Sequence, residues 1–214
     1  MILNRDQTRA LYRRLAPIYD LALWGYRLLG VSRHRRQAVE ALQLRPGDTV
    51  VDMGCGTGLN FPYLHEAVGS EGRIVGVDLS EAMLEKARER ADRHGWQNVE
   101  FVEADLTEYV FPENLGGALA TFALEMVPEY DAVIRRVAGA LPTGKRLALF
   151  GLKHPERWPE WLVRFGLWLN KPFGVSREYE AFRPWESVRQ HMTEVEHQEF
   201  YTGSAYLSVG EVGS

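Results

Sequence analysis

The chain reads as an α/β protein built on a doubly wound, mostly parallel sheet with helices on both faces. Three observations predict this. Short apolar runs alternate with helix-patterned segments from about residue 47 to Phe150-Gly151, the order that builds a parallel sheet. The run Val50-Val51-Asp52 leads into Met53-Gly54-Cys55-Gly56-Thr57-Gly58-Leu59-Asn60, a glycine-rich turn that hands a buried strand to a helix. Two later runs also finish on an acid, at Asp78 and Asp105.

The glycines allow a tight turn and close approach of backbone to ligand. In open α/β sheets that ligand lies beyond the carboxyl ends of the strands. A dinucleotide fingerprint has its third glycine at the sixth position, but Leu59 stands there and Gly58 comes one residue early. Asp52, two residues before Gly54, would repel a pyrophosphate and attract an amino group. The loop therefore suits a nucleoside with a cationic tail better than a diphosphate, which disfavours a nucleotide-dependent oxidoreductase.

The second strand, Arg73-Ile74-Val75-Gly76-Val77-Asp78, ends 26 residues after Asp52, where such folds carry a ribose-binding acid. Each charge-assisted bond from a ribose hydroxyl to Asp78 is worth about 1.5–3 kcal/mol. Ser80 is the expected N-cap of the next helix, and Leu79 and Met83 are expected as apolar walls for a purine. The third strand is expected over 99–106, with Asp105 placed to accept from an adenine amino group.

Taken together, these motifs resemble a class I S-adenosylmethionine-dependent methyltransferase over roughly residues 10–210. The resemblance implies a seven-stranded, mostly parallel Rossmann-like sheet, with S-adenosyl-L-methionine as cofactor and S-adenosyl-L-homocysteine as product. It implies that Asp52 helps hold the methionine moiety, that Gly54, Gly56 and Gly58 line it, and that Asp78 binds the ribose. It further implies that Asp105 and Leu106 face the adenine, and that Thr121-Phe122-Ala123-Leu124 borders the methionine moiety and the acceptor. Where the family often has an aromatic-Asp pair entering strand four, this chain reads Leu115-Gly116-Gly117-Ala118, so strand four is expected to start late or loosely. Tyr12 to Asp20 resembles a motif of quinone-biosynthesis methyltransferases and bacterial phospholipid N-methyltransferases. That match implies that Tyr12 and Tyr19 close the site. An aromatic face suits a sulfonium, at roughly 0.5–2 kcal/mol, though both tyrosines also fit simple packing.

Length and composition agree with one domain. The chain has 214 residues, 45% of them hydrophobic, enough for a single sizeable core. The expected parts are a helical cap over 1–46, a cofactor-binding core over 47–151, an acceptor lid over 152–192 and C-terminal strands over 193–214. Within the cap, helices are expected over 7–16, 18–30 and 33–44, with a break at Pro17. The last segment reads as two strands joined near Gly203. The single cysteine, Cys55, excludes an internal disulfide and fits a reducing cytosol. It reads as a small residue between glycines rather than a reactive thiol. No signal-peptide core or bilayer-spanning run is visible, and the scattered histidines lack metal-ligand spacing.

The net charge of −4 hides a basic first segment: residues 1–46 hold nine arginines against Asp6, Asp20 and Glu40. The acidic remainder argues against nucleic acid as a partner. The basic segment could instead touch an anionic bilayer, which suggests a cytoplasmic protein peripheral on the inner membrane face. Trp158, Trp161, Phe165 and Trp168 follow at helical spacing where the family builds its lid. They would cap an apolar pocket, dip into lipid or pack on the sheet. The expected arrangement is a cap of residues 7–30 and 156–170 over the acceptor pocket.

Methyl transfer needs alignment more than acid–base chemistry, so no base need be visible. His154, His191, His197, Glu125 and Tyr179 are the possible ones, and Glu125, following strand four, could attract an amine. The favoured acceptor is a phospholipid headgroup amine of the phosphatidylethanolamine type. The alternatives are C- or O-methylation of a quinone precursor or another small metabolite, and, from other classes, a catalytically silent cofactor-binding module, an oxidoreductase or aminopropyl transfer.

Overall fold

In a computed structural model, residues 3–22, 30–156, 158–175, 177 and 181–213 are described. Among them one sheet has seven strands: β1 (Thr49–Met53), β2 (Arg73–Asp78), β3 (Val99–Glu103), β4 (Leu115–Thr121), β5 (Arg146–Leu152), β6 (Thr193–Phe200) and β7 (Ala205–Glu211). Their order is β3-β2-β1-β4-β5-β7-β6, and β7 runs antiparallel to both its neighbours. The chain order reverses between β1 and β4, so the crevice that takes a ligand opens at their carboxyl ends.

Burial explains the strand sequences. Helices cover both faces of the central strands, so β4 is buried at every residue and β1, β2 and β5 nearly so. The outer strands β3 and β6 are half-exposed and charged, as unpaired edges require. One face packs Val51, Met53, Val75 and Val77 beneath Tyr130–Ala140 and Pro184–His191. The other packs Val50, Ile74 and Leu119 beneath Val31–Ala41, Phe61–Val68 and Glu81–His94.

Strand four does not start late, but its entry is irregular. It begins at Leu115, and its register against β1 shifts between Thr49 and Val50. A β-carbon at Gly116 would lie 2.7 Å from the Asp48 side chain, and one at Gly117 would lie 2.9 Å from Leu44. The glycines therefore admit the bulge, and the bulge turns Leu115 onto the same face as Ala118 and Ala120. The third strand is shorter than expected, ending at Glu103, so Asp105 lies in the turn beyond it.

At the N-terminus, α1 spans Arg5–Leu15, opened by a capping box between Asn4 and Gln7. The chain turns at Pro17 as expected and resumes as α2, Tyr19–Ala22. The rest of the helix expected over 18–30 falls largely on 23–29, outside the described residues. The third helix, α3, is Val31–Ala41.

Gly54 is where the fold holds its site closed. It has φ +66°, and a β-carbon there would sit 2.4 Å from the Ala123 side chain after β4. Gly54→Ala should therefore cost more than about 1 kcal/mol. That lowers the melting temperature by at least about 2–4 °C, measurable by differential scanning calorimetry.

Candidate functional site

The carboxyl ends of β1, β2 and β4 and the turn after β3 surround a cavity of about 510 Å³. Asp78 is its organising acid. Gly56 donates its backbone N–H to Asp78 Oδ2 at 2.8 Å, and Ser80 donates to Oδ1 at 2.9 Å. One carboxylate thus fixes the glycine-rich loop and the start of the helix Glu81–His94, with acceptor capacity left on both oxygens. Burial raises its pKa to about 6 against the opposing pull of these amides. Ser80 holds the N-cap position, but its buried hydroxyl makes no cap bond and has no partner among the described residues. Leu79 and Met83 line the cavity beside Asp78, as do Asp105 and Leu106. Asp105 Oδ1 accepts from the Thr107 amide and hydroxyl at 2.9 and 2.7 Å, and Oδ2 faces Arg5 at 3.3 Å.

The N-terminal segment lies across this opening. Asp20 of α2 accepts from the Thr57 hydroxyl at 2.6 Å and pairs with Arg90, which in turn donates to the Thr57 carbonyl at 2.7 Å. This clamp on the glycine-rich loop carries Tyr19 into the cavity wall. There Tyr19 meets Tyr12 edge-on at 6.3 Å and Phe173 at 5.8 Å. Arg5 also reaches Glu108, while Arg9 reaches Glu103 and the Leu79 carbonyl. Much of the basic charge expected to meet a bilayer is thus directed at the protein's own acids. These pairs are exposed and worth roughly 0–1 kcal/mol each, and α1 fully buries no residue. It is the cheapest cover to displace.

Beneath the cavity lies a polar network that the sequence did not reveal. Arg35 of α3 is 8% exposed and donates through Nη1 to Asn60 Oδ1 at 2.9 Å and to the Thr121 hydroxyl. Asn60 Nδ2 lies 2.9 and 3.0 Å from the two oxygens of Asp52 and 3.0 Å from Thr121 Oγ1. Asp52, expected to help hold the methionine moiety, is fully buried and does not line the cavity. It lies under the floor because Asn60 caps both its oxygens. Burial raises its pKa to about 7, opposed by Asn60 and Arg35. Gly58 is also absent from the wall: its φ of +75° and the Phe61 ring, 2.6 Å from a built β-carbon, give it a turn-forming role. Gly54, Gly56 and Thr121 do line the cavity.

After β4, Phe122 adopts φ +55°, a left-handed conformation that costs a non-glycine residue about 1–3 kcal/mol and concentrates at functional sites. Its ring lies in the cavity wall, 5.2 Å from the Arg35 guanidinium and 4.7 Å from Phe150. Glu125 turns away from the cavity, accepting from the Tyr206 hydroxyl at 2.9 Å in the space left by Gly151. The amine-attracting role expected of it is therefore corrected. Cys55 is buried with its thiol pushed well up, so it is no nucleophile at neutral pH. His154, His191 and His197 stand outside the cavity, His191 beside Asp131 and His197 beside Glu194. Tyr179 lies outside the described residues.

Known proteins are similar to this chain in sequence and in fold. Residues 50–144 match the family model described as a methyltransferase domain. The chain is 30% identical over 193 residues to the 2-phytyl-1,4-naphtoquinone methyltransferase of Thermosynechococcus vestitus, covering 86% of this chain and 84% of that one. The chain belongs to the class I S-adenosylmethionine-dependent methyltransferases. It is also 28% identical over 181 residues to the demethylmenaquinone methyltransferase of Listeria welshimeri, covering 83% of this chain and 75% of the relative. In fold, this methyltransferase is similar to the geranyl diphosphate C-methyltransferase of Streptomyces coelicolor A3(2), solved with S-adenosyl-L-homocysteine. That match has a TM-score of 0.66 at 17% identity, over 85% of this chain and 79% of the other.

The cavity fits the cofactor of the family. Its volume lies within the roughly 300–1,000 Å³ of small-molecule sites. Asp78 keeps free acceptor capacity, and Leu79 and Met83 offer apolar walls.

Glu125 yields a pH signature. Burial raises its pKa from 4.5 to about 7. Between those values the folded enzyme holds a proton that the unfolded chain has lost, so stability falls as pH rises through that window. Glu125→Gln removes the penalty and still accepts from Tyr206. The variant should melt higher than the parent at pH 8, by about 3 kcal/mol at most given about 1.4 kcal/mol per pH unit. The difference should vanish near pH 4.5. Paired thermal melts across this range check it.

Proposed function

We propose that this methyltransferase methylates a quinone-type acceptor, a reduced naphthoquinone ring carrying an apolar tail, in preference to a phospholipid headgroup amine. The observation that carries the reading is the character of the acceptor end of the cavity. Tyr12, Tyr19, Phe122, Met126 and Val127 line it together with the cationic Arg35, and Glu129 is the acid that follows them in the wall. The carboxylate that would have drawn in an ammonium, Glu125, faces Tyr206 instead. An aromatic, apolar wall favours a flat ring, and a buried guanidinium repels an amine. Two similar proteins are named for methylating naphthoquinone-type or menaquinone-type substrates, which supports the same choice.

In this reading Asp78 accepts from the ribose hydroxyls. Leu79, Met83 and Leu106 hold the adenine, with Asp105 accepting from its amino group. The Gly54–Gly56 backbone and Thr121 flank the methionine moiety. Bound there, the cofactor supplies a methyl group activated on a sulfonium. The protein's work is alignment: the Asp20 clamp sets Tyr19, and the Gly54–Ala123 contact sets the end of β4.

A tailed quinone lives in a bilayer, and the helix expected within a cap over 156–170, none of whose described residues lines the cavity, offers a contact surface instead. The helix Glu160–Asn170 buries only Val163 and leaves Trp161, Phe165, Trp168 and Leu169 exposed. These residues share one helical face, with Arg164 and Lys171 exposed beside them. Aromatic side chains flanked by cations suit an anionic membrane interface. The membrane contact accordingly moves from the arginines of 1–46 to this helix. No helix among the described residues is long and apolar enough to cross a membrane.

The test supplies methyl-labelled S-adenosylmethionine with either a tailed naphthoquinol in anionic vesicles containing phosphatidylethanolamine or a short-chain soluble naphthoquinol. Label should enter the quinone and not the phospholipid. Replacing Trp161, Phe165 and Trp168 with serine should slow the vesicle reaction at least tenfold and leave the soluble one within about twofold. Label in phosphatidylethanolamine alone would overturn the acceptor, and equal slowing of both reactions would overturn the membrane face.

A further inference from the structure

We propose that a second cavity, apart from the cofactor site, binds a phosphate group. It holds about 430 Å³, and Lys153, His154, Glu156, Arg177, Arg183 and Trp185 are in its wall. It shares no described lining residue with the cofactor cavity. Three cations reach it from separate parts of the chain: Lys153 just after β5, Arg177 beyond the helix Glu160–Asn170, and Arg183 at the N-cap of the helix Pro184–His191. Glu156 is the one acid among the described lining residues. The buried Trp185 ring gathers two of the charges, with Lys153 Nζ at 5.3 Å and Arg183 Cζ at 5.9 Å from its centre. Cations gathered on one ring repel each other, and an anion between them relieves that repulsion.

The donors for such an anion are in place. The Lys153 side chain is 12% exposed, and of its three N–H donors one is answered, by Glu199. Arg183 makes no side-chain hydrogen bond among the described residues, and its acid, Glu186, stands 3.8 Å away. Arg177 is paired with Glu160 at 2.9 Å. Glu199, Glu186 and Glu160 are all exposed and outside the cavity wall, where water screens them. A phosphate offers oxygens to several donors at once, and a guanidinium fork meets two of them. The position favours a lipid headgroup as the source. Glu160, which holds Arg177, opens the helix that exposes Trp161, Phe165 and Trp168. Headgroup phosphates lie at the level where such aromatic residues enter a bilayer, and basic pockets there take anionic headgroups. The lipid source rests on the membrane face proposed above; the cavity and its cations do not.

Calorimetric titration of glycerol 3-phosphate, a headgroup phosphate without its chains, tests the cavity. The parent should bind it, and Lys153→Gln combined with Arg183→Gln should weaken binding at least about tenfold. Lys86→Gln combined with Arg93→Gln removes the same charge from the exposed side of the helix Glu81–His94 and should stay within about twofold. If the cavity variant does not fold, Arg183→Gln alone decides by the same comparison. No binding to the parent, or equal weakening by both pairs, would overturn the site. Vesicles then separate the sources. Phosphatidylcholine vesicles carrying phosphatidic acid should sediment the parent better than vesicles given equal charge by oleate, and the cavity variant should lose that preference. A preference that survives in a variant unable to bind glycerol 3-phosphate would give the cavity to a soluble phosphate ester and overturn the lipid source. The serine replacement of Trp161, Phe165 and Trp168 should lose the vesicles and keep glycerol 3-phosphate. If it keeps the vesicles as well, the membrane face fails while the phosphate site stands.

Discussion

The structure depends on charge held out of water at the carboxyl edge of the sheet. Asp52 and Asp78 end adjacent strands, and Arg35 comes in from α3; each is buried at or beneath the cavity. Buried ions must be hydrogen-bonded or met by a partner, and the neighbouring architecture follows from that need. Asn60 is locked between Asp52, Thr121 and Arg35. The glycine-rich loop is drawn to Asp78 through the Gly56 amide. The acceptor capacity left on Asp78 marks where a ligand can meet this edge.

Cover and site are coupled by a few contacts of unequal strength. The Asp20 clamp ties α2 to the same loop that Asp78 fixes, so ordering the loop also orders Tyr19. By contrast, α1 rests on exposed ion pairs, and the lid turn at Phe173-Gly174 packs against Leu11, Leu3 and Met126. This gives a rigid floor under a lightly held roof, as a cavity needs if a nucleoside must enter before the acceptor is aligned.

Much of this was legible in the sequence because it depends on order along the chain. Strand ends that carry acids, a glycine-rich turn, and the residues just after β2 and β3 keep their positions whatever the packing, so Asp78, Leu79, Met83, Asp105 and Leu106 fall on the cavity. Direction was harder to read. Asp52 and Glu125 lie at the expected places in the chain, but their carboxylates point away from the ligand space, toward Asn60 and Tyr206. Only the packing of distant strands decides that. Arg35 was hidden in the run Arg33-His34-Arg35-Arg36, which reads as a charged patch. One signal marked it: Arg35 shares the spacing of Ala38, Val39 and Leu42, all buried. The left-handed Phe122 left no trace in the sequence, since nothing in its neighbours announces the backbone conformation.

The central claim is that the strand-end acid of β2 holds the nucleoside of an S-adenosylmethionine cofactor. Isothermal titration of S-adenosyl-L-homocysteine into the parent enzyme and into Asp78→Ala tests it most directly. The account predicts binding to the parent and an affinity at least tenfold weaker in the variant, about 1.4 kcal/mol, with the variant shown to be folded by its melt. Unchanged affinity would contradict the assignment of Asp78, and with it the placement of every group along the cavity.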